Sequence, residues 1–385
     1  MELSIFQYIV VGSGFFGATL AERIATDLQR PVLVLEARGH VGGNSFSTID
    51  EATGIEFHTY GSHIFHTKNQ RVWEYVNQFA SFNHYRHQVL TSWQGRLFFM
   101  PINLDTINRF YGLAMSPVEA KEFLLGEAGR EGILSPKNFE EKAISQIGRP
   151  LYEAFIRGYT IKQWGVSPTE LPESIINRLP IRTNFNVNYF DDPFQGIPTS
   201  GYGQLFAKML ANPLIEVRLN TDFFQVRAEV PKSTTVIFSG AIDQFFEYRF
   251  GDLSWRGLRF EKEVHGVDDY QGTAVINYAD EAIPFTRIHE FKHYHPERRQ
   301  GDGQTLLCKE YPESFTRGKE PFYPVNTEED KRILQRYQEQ AREIAPQVIF
   351  GGRLGAYRYY DMDQAIAQAL GIYEESIKPM DRGHG

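Results

Sequence analysis

The chain has 385 residues, more than a single hydrophobic core usually holds, so we expect two or three packed subdomains. Its net charge of −8 and pI of about 5.8 exclude a global field that attracts nucleic acid or an anionic membrane, so an anionic substrate must meet locally placed Arg and Lys. The single cysteine, Cys308, excludes an internal disulfide and a cysteine-rich metal or iron–sulfur site.

The N-terminal stretch predicts a strand, a tight turn and a helix. Residues 8–11, YIVV, are apolar enough for a buried parallel strand, and Gly12, Gly14 and Gly17 then form the pattern G-x-G-x-x-G before a segment with helical spacing. Glycine at these positions lets the backbone approach a pyrophosphate at the helix N-terminus. A second predicted strand ends at Glu36, whose carboxylate can accept hydrogen bonds from a ribose diol. This is the pattern of a dinucleotide-binding unit.

The residues after Glu36 favour a flavin over a nicotinamide. The stretch EARGHVGGN resembles the FAD-binding half of amine-oxidase and hydroxylase-type flavoproteins, and its glycine pair lets the backbone approach the far side of a long cofactor. An ordinary glycine-rich loop after a strand is the structural alternative. We expect FAD to contact these N-terminal residues: Gly12, Gly14, Phe15, Gly17, Glu36, Arg38, Gly43 and Asn44.

The next elements alternate between sheet and helix. The segment GIEFHTYGSHIFHT turns back toward the cofactor, a short helix with apolar positions follows, and a hairpin is predicted around Gln94-Gly95. Residues 106–179 are mostly helical, with breaks at 116–117, 135–136 and 148–150. Residues 182–190 favour a strand.

The C-terminal half returns to the cofactor domain twice. A helix is predicted over 201–210, a buried strand over 236–240, and antiparallel strands within TAVINYAD and PFTRIHEFKHY. A charged helix over 327–344 precedes a strand, a glycine turn and a final helix with Asp361 as its N-cap.

We therefore predict an α/β protein with an FAD-binding Rossmann-like domain, an inserted helical subdomain and an antiparallel β-sheet subdomain. The predicted boundaries divide the chain as follows: residues 1–80, 201–240 and 326–385 form the FAD-binding domain, residues 81–180 a mainly helical subdomain with a mobile lid near its end, and residues 181–200 and 241–325 the sheet subdomain.

Seven blocks in order resemble the UDP-galactopyranose mutase family over almost the whole chain: GSHIFHT at 61–67, RGYTIKQW at 157–164, RLPIR at 178–182, NYFDDPFQGIP at 188–198, PFTRIHEFKH at 284–293, EYP at 310–312 with PFYPV at 321–325, and GGRLGAYRYYDMD at 351–363. Many relatives have proline where Ser62 stands. The resemblance implies interconversion of UDP-galactopyranose and UDP-galactofuranose through a covalent adduct of the anomeric carbon with N5 of reduced FAD, without net redox change. It also implies a supply of galactofuranose for cell-surface polysaccharide, with NAD(P)H or a chemical reductant reducing the flavin.

The resemblance carries over residue by residue to a substrate site. It implies that Arg178 and Arg287 hold the diphosphate, for which a guanidinium fork suits better than lysine. Phe155 and Trp164 match uracil-stacking positions, and Phe155 shares a helix face with Tyr159 at a spacing of four. The remaining substrate contacts are implied for four tyrosines and one acid: Tyr159, Tyr189, Tyr323, Tyr359 and Asp361. Each tyrosine and Phe155 has the alternative of ordinary core packing.

His63 matches a histidine of a mobile loop beside the flavin, where it tunes N5 or moves a proton, since histidine titrates near neutral pH. The C-terminal residues that the same resemblance and the GGRLG turn place at the cofactor are Arg353, Tyr359, Asp361 and Met362. A helix N-terminus there would stabilise the negative charge of a reduced flavin.

Two sets of histidines raise the alternative of a metal site: His58, His63 and His66, and His289, His293 and His295. No carboxylate or cysteine completes either set with the spacing of a closed site, so we expect no metal. In a strand the second set would share one face, which favours a pH-sensitive surface.

Two other functions remain open. One is an FAD-dependent oxidoreductase of the amine-oxidase type, which would ignore UDP, and the other is a non-catalytic binding protein that keeps the fold without flavin. We expect a cytoplasmic protein, since it has a single cysteine and no apolar run of about 18 residues. The expected partners are UDP-galactose and further copies of the chain in a homo-oligomer, with no nucleic acid and no membrane span.

Overall fold

The computed structural model describes residues 3–173, 175 and 180–382, so Arg178 lies outside the described residues. The strands are, in chain order, β1 (Tyr8–Val11), β2 (Val32–Leu35), β3 (Ser47–Ile49), β4 (Glu56–His58), β5 (Phe65–Thr67), β6 (Val89–Trp93), β7 (Arg96–Met100), β8 (Phe194–Gly196), β9 (Ile215–Arg218), β10 (Thr235–Phe238), β11 (Trp255–His265), β12 (Val275–Tyr278), β13 (Arg287–Glu290), β14 (Thr305–Ser314), β15 (Tyr323–Pro324) and β16 (Val348–Phe350).

The helices are, in the same order, α1 (Phe15–Arg23), α2 (Gln70–Val76), α3 (Leu104–Tyr111), α4 (Pro117–Gly129), α5 (Phe139–Leu151), α6 (Gly158–Trp164), α7 (Tyr202–Met209), α8 (Phe223–Val226), α9 (Ile242–Phe245), α10 (Glu328–Glu343), α11 (Gly352–Gly355), α12 (Met362–Ile372) and α13 (Lys378–Arg382). Three π-helical segments continue neighbouring helices: Ile24–Leu28, Tyr152–Arg157 and Tyr373–Ile377. Within the described residues, none of these helices combines the length and apolar character that crossing a lipid bilayer requires.

A five-stranded parallel sheet forms the cofactor domain, in the order β16-β10-β1-β2-β9. Alternate side chains of β1 enter different cores: Tyr8 and Val10 pack toward α1, whereas Ile9 packs on the opposite face with Phe223 and Phe245. Burial on both faces explains why this strand is apolar throughout. The predicted Rossmann-like unit is confirmed, and its sheet draws strands from three distant parts of the chain.

A seven-stranded sheet forms a second layer, in the order β15-β11-β14-β13-β12-β6-β7. The predicted hairpin is present, with Gln94 at φ 49° and Gly95 at φ 72°, as a two-residue turn with two positive φ angles requires. The predicted antiparallel sheet is present, and it differs from the prediction at one pair, because β6 and β12 run parallel. These two strands are far apart in the sequence, with β7 to β11 between them, so no tight turn fixes their relative direction.

Helices α3 to α6 make up the helical part, and the hairpin that precedes them belongs to the seven-stranded sheet although it lies within the predicted segment 81–180. Asn103, Ser116 and Asn138 cap α3, α4 and α5 with their side chains. The predicted break near residue 148 is present inside α5, where Gly148 has φ 76° and ψ 160°.

The strand predicted over residues 182–190 is wrong. All of these residues are described, and they form only an isolated bridge between Asn188 and Gln88. The side chain of Asn184 accepts a hydrogen bond from the backbone N–H of Asn186, and the side chain of Asn186 accepts one from Asn188. Asparagine side chains that satisfy the backbone two residues ahead stabilise turns in place of a ladder.

Candidate cofactor and substrate site

A cleft of about 540 Å³ opens at the carboxyl ends of β1, β2 and β10. Parallel α/β sheets bind their ligands at this edge. Most of the predicted cofactor residues line it: Gly12, Gly14, Phe15, Gly17, Glu36, Arg38, Gly43, Asn44, His63, Arg353, Asp361 and Met362. Tyr359 lies next to them, with its ring 4.8 Å from the guanidinium carbon of Arg353.

The glycine turn leaves no room for side chains. Gly12 has φ +92°, and a Cβ there would lie 2.2 Å from the hydroxyl oxygen of Ser239. A Cβ on Gly17 would lie 2.0 Å from the carbonyl oxygen of Gly12. Gly14 is the N-cap of α1, so the first N–H groups of that helix face the cleft and suit an anion. The second turn touches the first, since a Cβ on Gly43 would lie 3.2 Å from the Cα of Gly14.

Glu36 is buried at the end of β2 and organises the turn around it. One carboxylate oxygen accepts hydrogen bonds from the N–H and the hydroxyl of Ser13, at 3.0 and 2.6 Å. The other accepts the N–H of Arg38 at 3.0 Å. A carboxylate accepts about four hydrogen bonds, so capacity remains for a ribose diol.

The far wall of the cleft comes from the end of the chain. Arg353 donates to the carbonyl oxygen of Tyr360 at 2.6 Å. Asp361 is the N-cap of α12, and its backbone N–H donates to the side chain of Gln364 at 3.0 Å. The close glycine turns, the buried acid and two helix N-termini fit an elongated dinucleotide such as FAD.

His63 lies in the loop between β4 and β5. Its Nδ1 donates to the carbonyl oxygen of Gly61 at 2.8 Å, and its backbone N–H donates to Nδ1 of His58 at 3.1 Å. Burial lowers the pKa of His63 to about 4, despite the hydrogen bond to Gly61 that favours the charged form. The ring is therefore neutral near pH 7 and offers Nε2 as a hydrogen-bond acceptor. A proton transfer that relies on a pKa near neutrality does not fit this environment.

Arg287 lies beside Glu310 on the neighbouring strand, with Nε 3.4 Å from Oε1 of the carboxylate. Its Nη2 donates to the hydroxyl of Tyr159 on α6. Burial opposes the charge of Arg287, but Glu310 and the neighbouring tyrosines together outweigh burial and raise its pKa. Burial also favours the neutral acid at Glu310, but Arg287 and His289 together hold its pKa below the usual value. Both groups are charged, and the arginine keeps donors for an anion.

Two further tyrosines surround this arginine. Tyr189 and Tyr323 lie close enough to Arg287 to interact with it electrostatically. The ring of Tyr323 stacks on that of Tyr359, with centroids 5.6 Å apart and planes 14° apart. This stack lies against Arg353, so the tyrosine group connects the Arg287 region to the cofactor cleft.

The two predicted base-stacking residues have different surroundings. Phe155 is 4% exposed and packs in an aromatic cluster, with ring centroids 4.9 Å from Phe98 and 5.5 Å from Phe110. It lies in the π-helical segment, whereas Tyr159 lies in α6 and contacts Arg287, so the two rings have different neighbours despite their spacing of four. Trp164 is half-buried at the end of α6.

The histidine set at 289, 293 and 295 does not share a strand face. His289 lies in β13, His293 lies in the following 3₁₀ turn Phe291–Tyr294, and His295 comes after that turn. His289 and His295 are 0% and 1% exposed, so the predicted pH-sensitive surface is wrong. The strand stops because the chain turns after Glu290.

His293 lies between two carboxylates. Its Nε2 is 3.2 Å from Oδ1 of Asp269 and 3.6 Å from Oε2 of Glu290. The carboxylate of Glu290 also accepts three other hydrogen bonds.

Sequence reasoning assigned no role to Glu310 and considered His289 only for a metal site or a pH-sensitive surface, whereas both residues are buried directly behind Arg287. Their proximity depends on the register of β13 and β14. A block containing residue 310 was recognisable, but a cross-strand neighbour is not encoded by spacing along the chain.

Comparison with known proteins finds similar sequences and a similar fold over almost the whole length of this chain. The family model for UDP-galactopyranose mutase matches residues 154–359, and a model for an NAD(P)-binding Rossmann-like domain matches residues 10–79. The chain is 41% identical to dTDP-fucopyranose mutase of Escherichia coli over 379 residues, which cover 97% of this chain and 98% of the relative. It is 42% identical to the probable UDP-galactopyranose mutase of Klebsiella pneumoniae over 370 residues, which cover 96% and 94%. The crystal structure of a reduced UDP-galactopyranose mutase has the same fold, with a TM-score of 0.74 at 15% identity over 97% of this chain and 94% of that one.

Proposed function

This chain belongs to the UDP-galactopyranose mutase family, and we propose that it interconverts the pyranose and furanose forms of a nucleoside-diphosphate sugar, with UDP-galactose as the first substrate to test. The observation that carries the proposal is a half-buried, charged Arg287 that lies between Tyr159 and Glu310. An oxidoreductase that acts on a neutral amine has no use for a half-buried cation with unused donors.

The substrate region and the cofactor cleft adjoin each other. A Cβ on Gly61 would lie 3.2 Å from Oε2 of Glu310, so the loop that carries His63 touches the carboxylate that holds Arg287. A diphosphate on Arg287 therefore places its sugar toward the flavin end of the cleft. Arg178 belongs to the same proposal through the resemblance alone, because it lies outside the described residues.

The residues present fit FAD, and they divide its binding between them. The glycine turns and the N-terminus of α1 would hold the pyrophosphate, and Glu36 would take the ribose. Arg353, Asp361 and the N-terminus of α12 would face the flavin. When bound and reduced, FAD supplies a nucleophilic N5 for the anomeric carbon, so the conversion needs no net redox change.

The protein groups act on the leaving diphosphate and on water. Arg287 and the hydroxyls of Tyr159 and Tyr323 stabilise negative charge on the diphosphate after its bond to the sugar breaks. Neutral His63 accepts a hydrogen bond at the flavin side without adding a positive charge there. The surrounding rings exclude water, which protects an activated sugar from hydrolysis.

The test is the conversion of UDP-galactofuranose by the FAD-loaded protein, followed by chromatography with the flavin reduced and with it oxidised. We expect UDP-galactopyranose in the reduced sample only, without net consumption of reductant. Reductant consumed in proportion to product, or no conversion by fully loaded reduced protein, would favour the oxidoreductase.

dTDP-fucofuranose should be tested in the same assay as a second substrate, because the chain is nearly as similar to a dTDP-fucopyranose mutase as to a probable UDP-galactopyranose mutase. Parallel reactions with dTDP-fucofuranose measure the preference as a ratio of kcat/KM values. The same reduced and oxidised samples serve both substrates. We further propose that the product supplies furanose sugars for cell-surface polysaccharide.

A further inference from the structure

Ser62 is at the start of a chain of hydrogen bonds that reaches Glu310, and Glu310 forms an ion pair with Arg287. The hydroxyl of Ser62 contacts Nδ1 of His289 and the hydroxyl of Tyr294. His289 and Tyr294 are both 0% exposed, so water does not replace these contacts at low cost. Nε2 of His289 lies 3.2 Å from Oε2 of Glu310, and Oε1 of the same carboxylate faces Arg287.

The direction of each hydrogen bond in this chain follows from the charge of Glu310 at its end. Glu310 is a carboxylate beside Arg287 and can only accept, so Nε2 of His289 carries the proton. Burial lowers the pKa of His289 despite Glu310, so the ring is neutral and its Nδ1 is an acceptor. The hydroxyl of Ser62 must then donate to His289, and it accepts from Tyr294. Each hydrogen bond from Tyr294 to Glu310 therefore has one defined direction, and the final contact with Arg287 is an ion pair.

We infer that the hydroxyl of Ser62 is a positioning group for the diphosphate-binding Arg287, and that it acts through His289 and Glu310. Ser62 fixes the rotation of the imidazole, the imidazole fixes one oxygen of Glu310, and the other oxygen orients the guanidinium. This inference rests on the proposed function, since it assumes that Arg287 binds a diphosphate.

The hydroxyl of Ser62 is not required by the backbone of this loop. A residue without a hydroxyl at this position could not donate to Nδ1 of His289. The neighbouring Gly61 has φ +84°, so the loop already turns without help from residue 62. The serine therefore adds a hydrogen bond that the turn does not need.

The test measures the affinity of the FAD-loaded, oxidised protein for UDP, and for dTDP in parallel, by titration of the flavin absorbance or by calorimetry. Ser62→Ala should weaken binding by about fivefold, the value of one hydrogen bond of about 1 kcal/mol. Ser62→Thr, which keeps the hydroxyl, should retain most of the affinity. Ser135→Ala, at an exposed serine remote from the site, should leave the affinity unchanged.

The dependence on Arg287 separates positioning from a general loss of structure. In an Arg287→Lys background, Ser62→Ala should cause little further loss of affinity, because the group that it orients is gone. Equal losses in both backgrounds, or an unchanged affinity in Ser62→Ala, would overturn the inference. A shifted flavin spectrum in Ser62→Ala would also overturn it, because the effect would then lie in the loop of His63.

Nucleotide binding and sugar conversion are measured separately, so failure of the proposed function can be distinguished from failure of the inference about Ser62. If the protein binds UDP or dTDP but converts neither sugar, the proposed function is wrong, and the two Ser62 variants still decide the positioning role. If it binds neither nucleotide, both proposals are wrong.

Discussion

Arg287 is held from two directions, by a carboxylate and by a phenol, and each contact has a different consequence for substitution. The ion pair with Glu310 stabilises the fold, because an uncompensated buried carboxylate is costly. In the proposed function, the planar arrangement of its donors serves a diphosphate, which accepts two parallel hydrogen bonds. Stability and affinity at this residue can therefore be changed independently.

For Arg287→Lys we expect a small loss of thermal stability, because the ammonium still pairs with Glu310, and a loss of UDP affinity of about tenfold or more, because a lysine cannot form the fork. Arg287→Met should lower the melting temperature further, since Glu310 stays buried without its cation. Thermal unfolding and UDP titration on the same samples measure both effects. Equal stability of the Lys and Met variants would contradict this account.

The pKa of His63 leads to a prediction about pH. Burial lowers it to about 4, so the ring protonates only in acid and is neutral throughout the physiological range. The ratio of the conversion rates of wild type and His63→Gln should therefore stay constant from about pH 5.5 to about pH 8. A ratio that changes with an apparent pKa near 6.5 would show that His63 titrates in the working protein.

Lys162 connects two elements of the site. Its ammonium donates to three backbone carbonyls around the turn between β12 and β13, those of Tyr278, Asp280 and Phe285, at 2.7, 2.9 and 3.1 Å. The lysine lies on α6, which also carries Tyr159, while Arg287 begins β13. One side chain thus fixes the helix against the strand on which the partner of Tyr159 lies.

We predict that Lys162→Met lowers the free energy of unfolding by about 2 kcal/mol, because three carbonyls lose a charged donor in one substitution. Chemical denaturation measures this loss. Lys121→Met, at an exposed position of α4, is the matched control and should have an effect within about 0.5 kcal/mol. If the two variants were equally stable, the contacts of Lys162 would contribute nothing.

The elements whose signals are local were predictable from the sequence. The Gln94-Gly95 hairpin, the glycine turn before α1 and the cap at Asp361 each depend on residues a few positions apart, and all three are present. The parallel pairing of β6 with β12 and the register that brings Glu310 to Arg287 depend on distant segments, and spacing along the chain carries no record of them. The segment 182–190 was misassigned because its asparagines replace a ladder by local turns.

The candidate site divides in the same way. The cofactor cleft follows from its motifs, because glycines and an acid at fixed distances leave few geometries open. Phe155 shows the opposite case, since its position relative to Tyr159 depends on a π-helical segment that changes the faces of the helix. The sequence blocks that resemble the family identified candidate residues, but the neighbours of each side chain are known only from the packing in the structure.

At the scale of the whole molecule, neutral histidines are buried where the loop before β5 meets the seven-stranded sheet. Burial lowers the pKa of His58 to about 3, that of His63 to about 4 and that of His87 to about 3. These values lie below those of an unfolded chain, so the unfolded state binds more protons than the folded state in mild acid. Stability is then full above the unfolded pKa of about 6.5 and is lost as the pH falls toward the folded values.

We therefore expect these three rings to take up about three protons on unfolding near pH 5, which gives a slope of about 4 kcal/mol per pH unit. His289 adds to this uptake, because burial lowers its pKa as well. Urea denaturation at a series of pH values from about 7.5 to about 5 measures this slope. His87→Phe should reduce the uptake by about one proton, and His84→Gln, at an exposed position, is the matched control. A flat profile for the wild type would mean that these rings are protonated in the folded protein.

The strand order β16-β10-β1-β2-β9 also constrains how the protein is made. The first turn of the cofactor cleft leaves the ribosome early, yet the strand beside β1 comes from residues 235–238, and the flavin end of the cleft is formed by residues as late as Ala365. A nascent chain can form the first βαβ unit but cannot enclose a cofactor until nearly all of the polypeptide has been translated. We therefore expect the flavin to be loaded late in biosynthesis, and fragments truncated before α12 should accumulate without it.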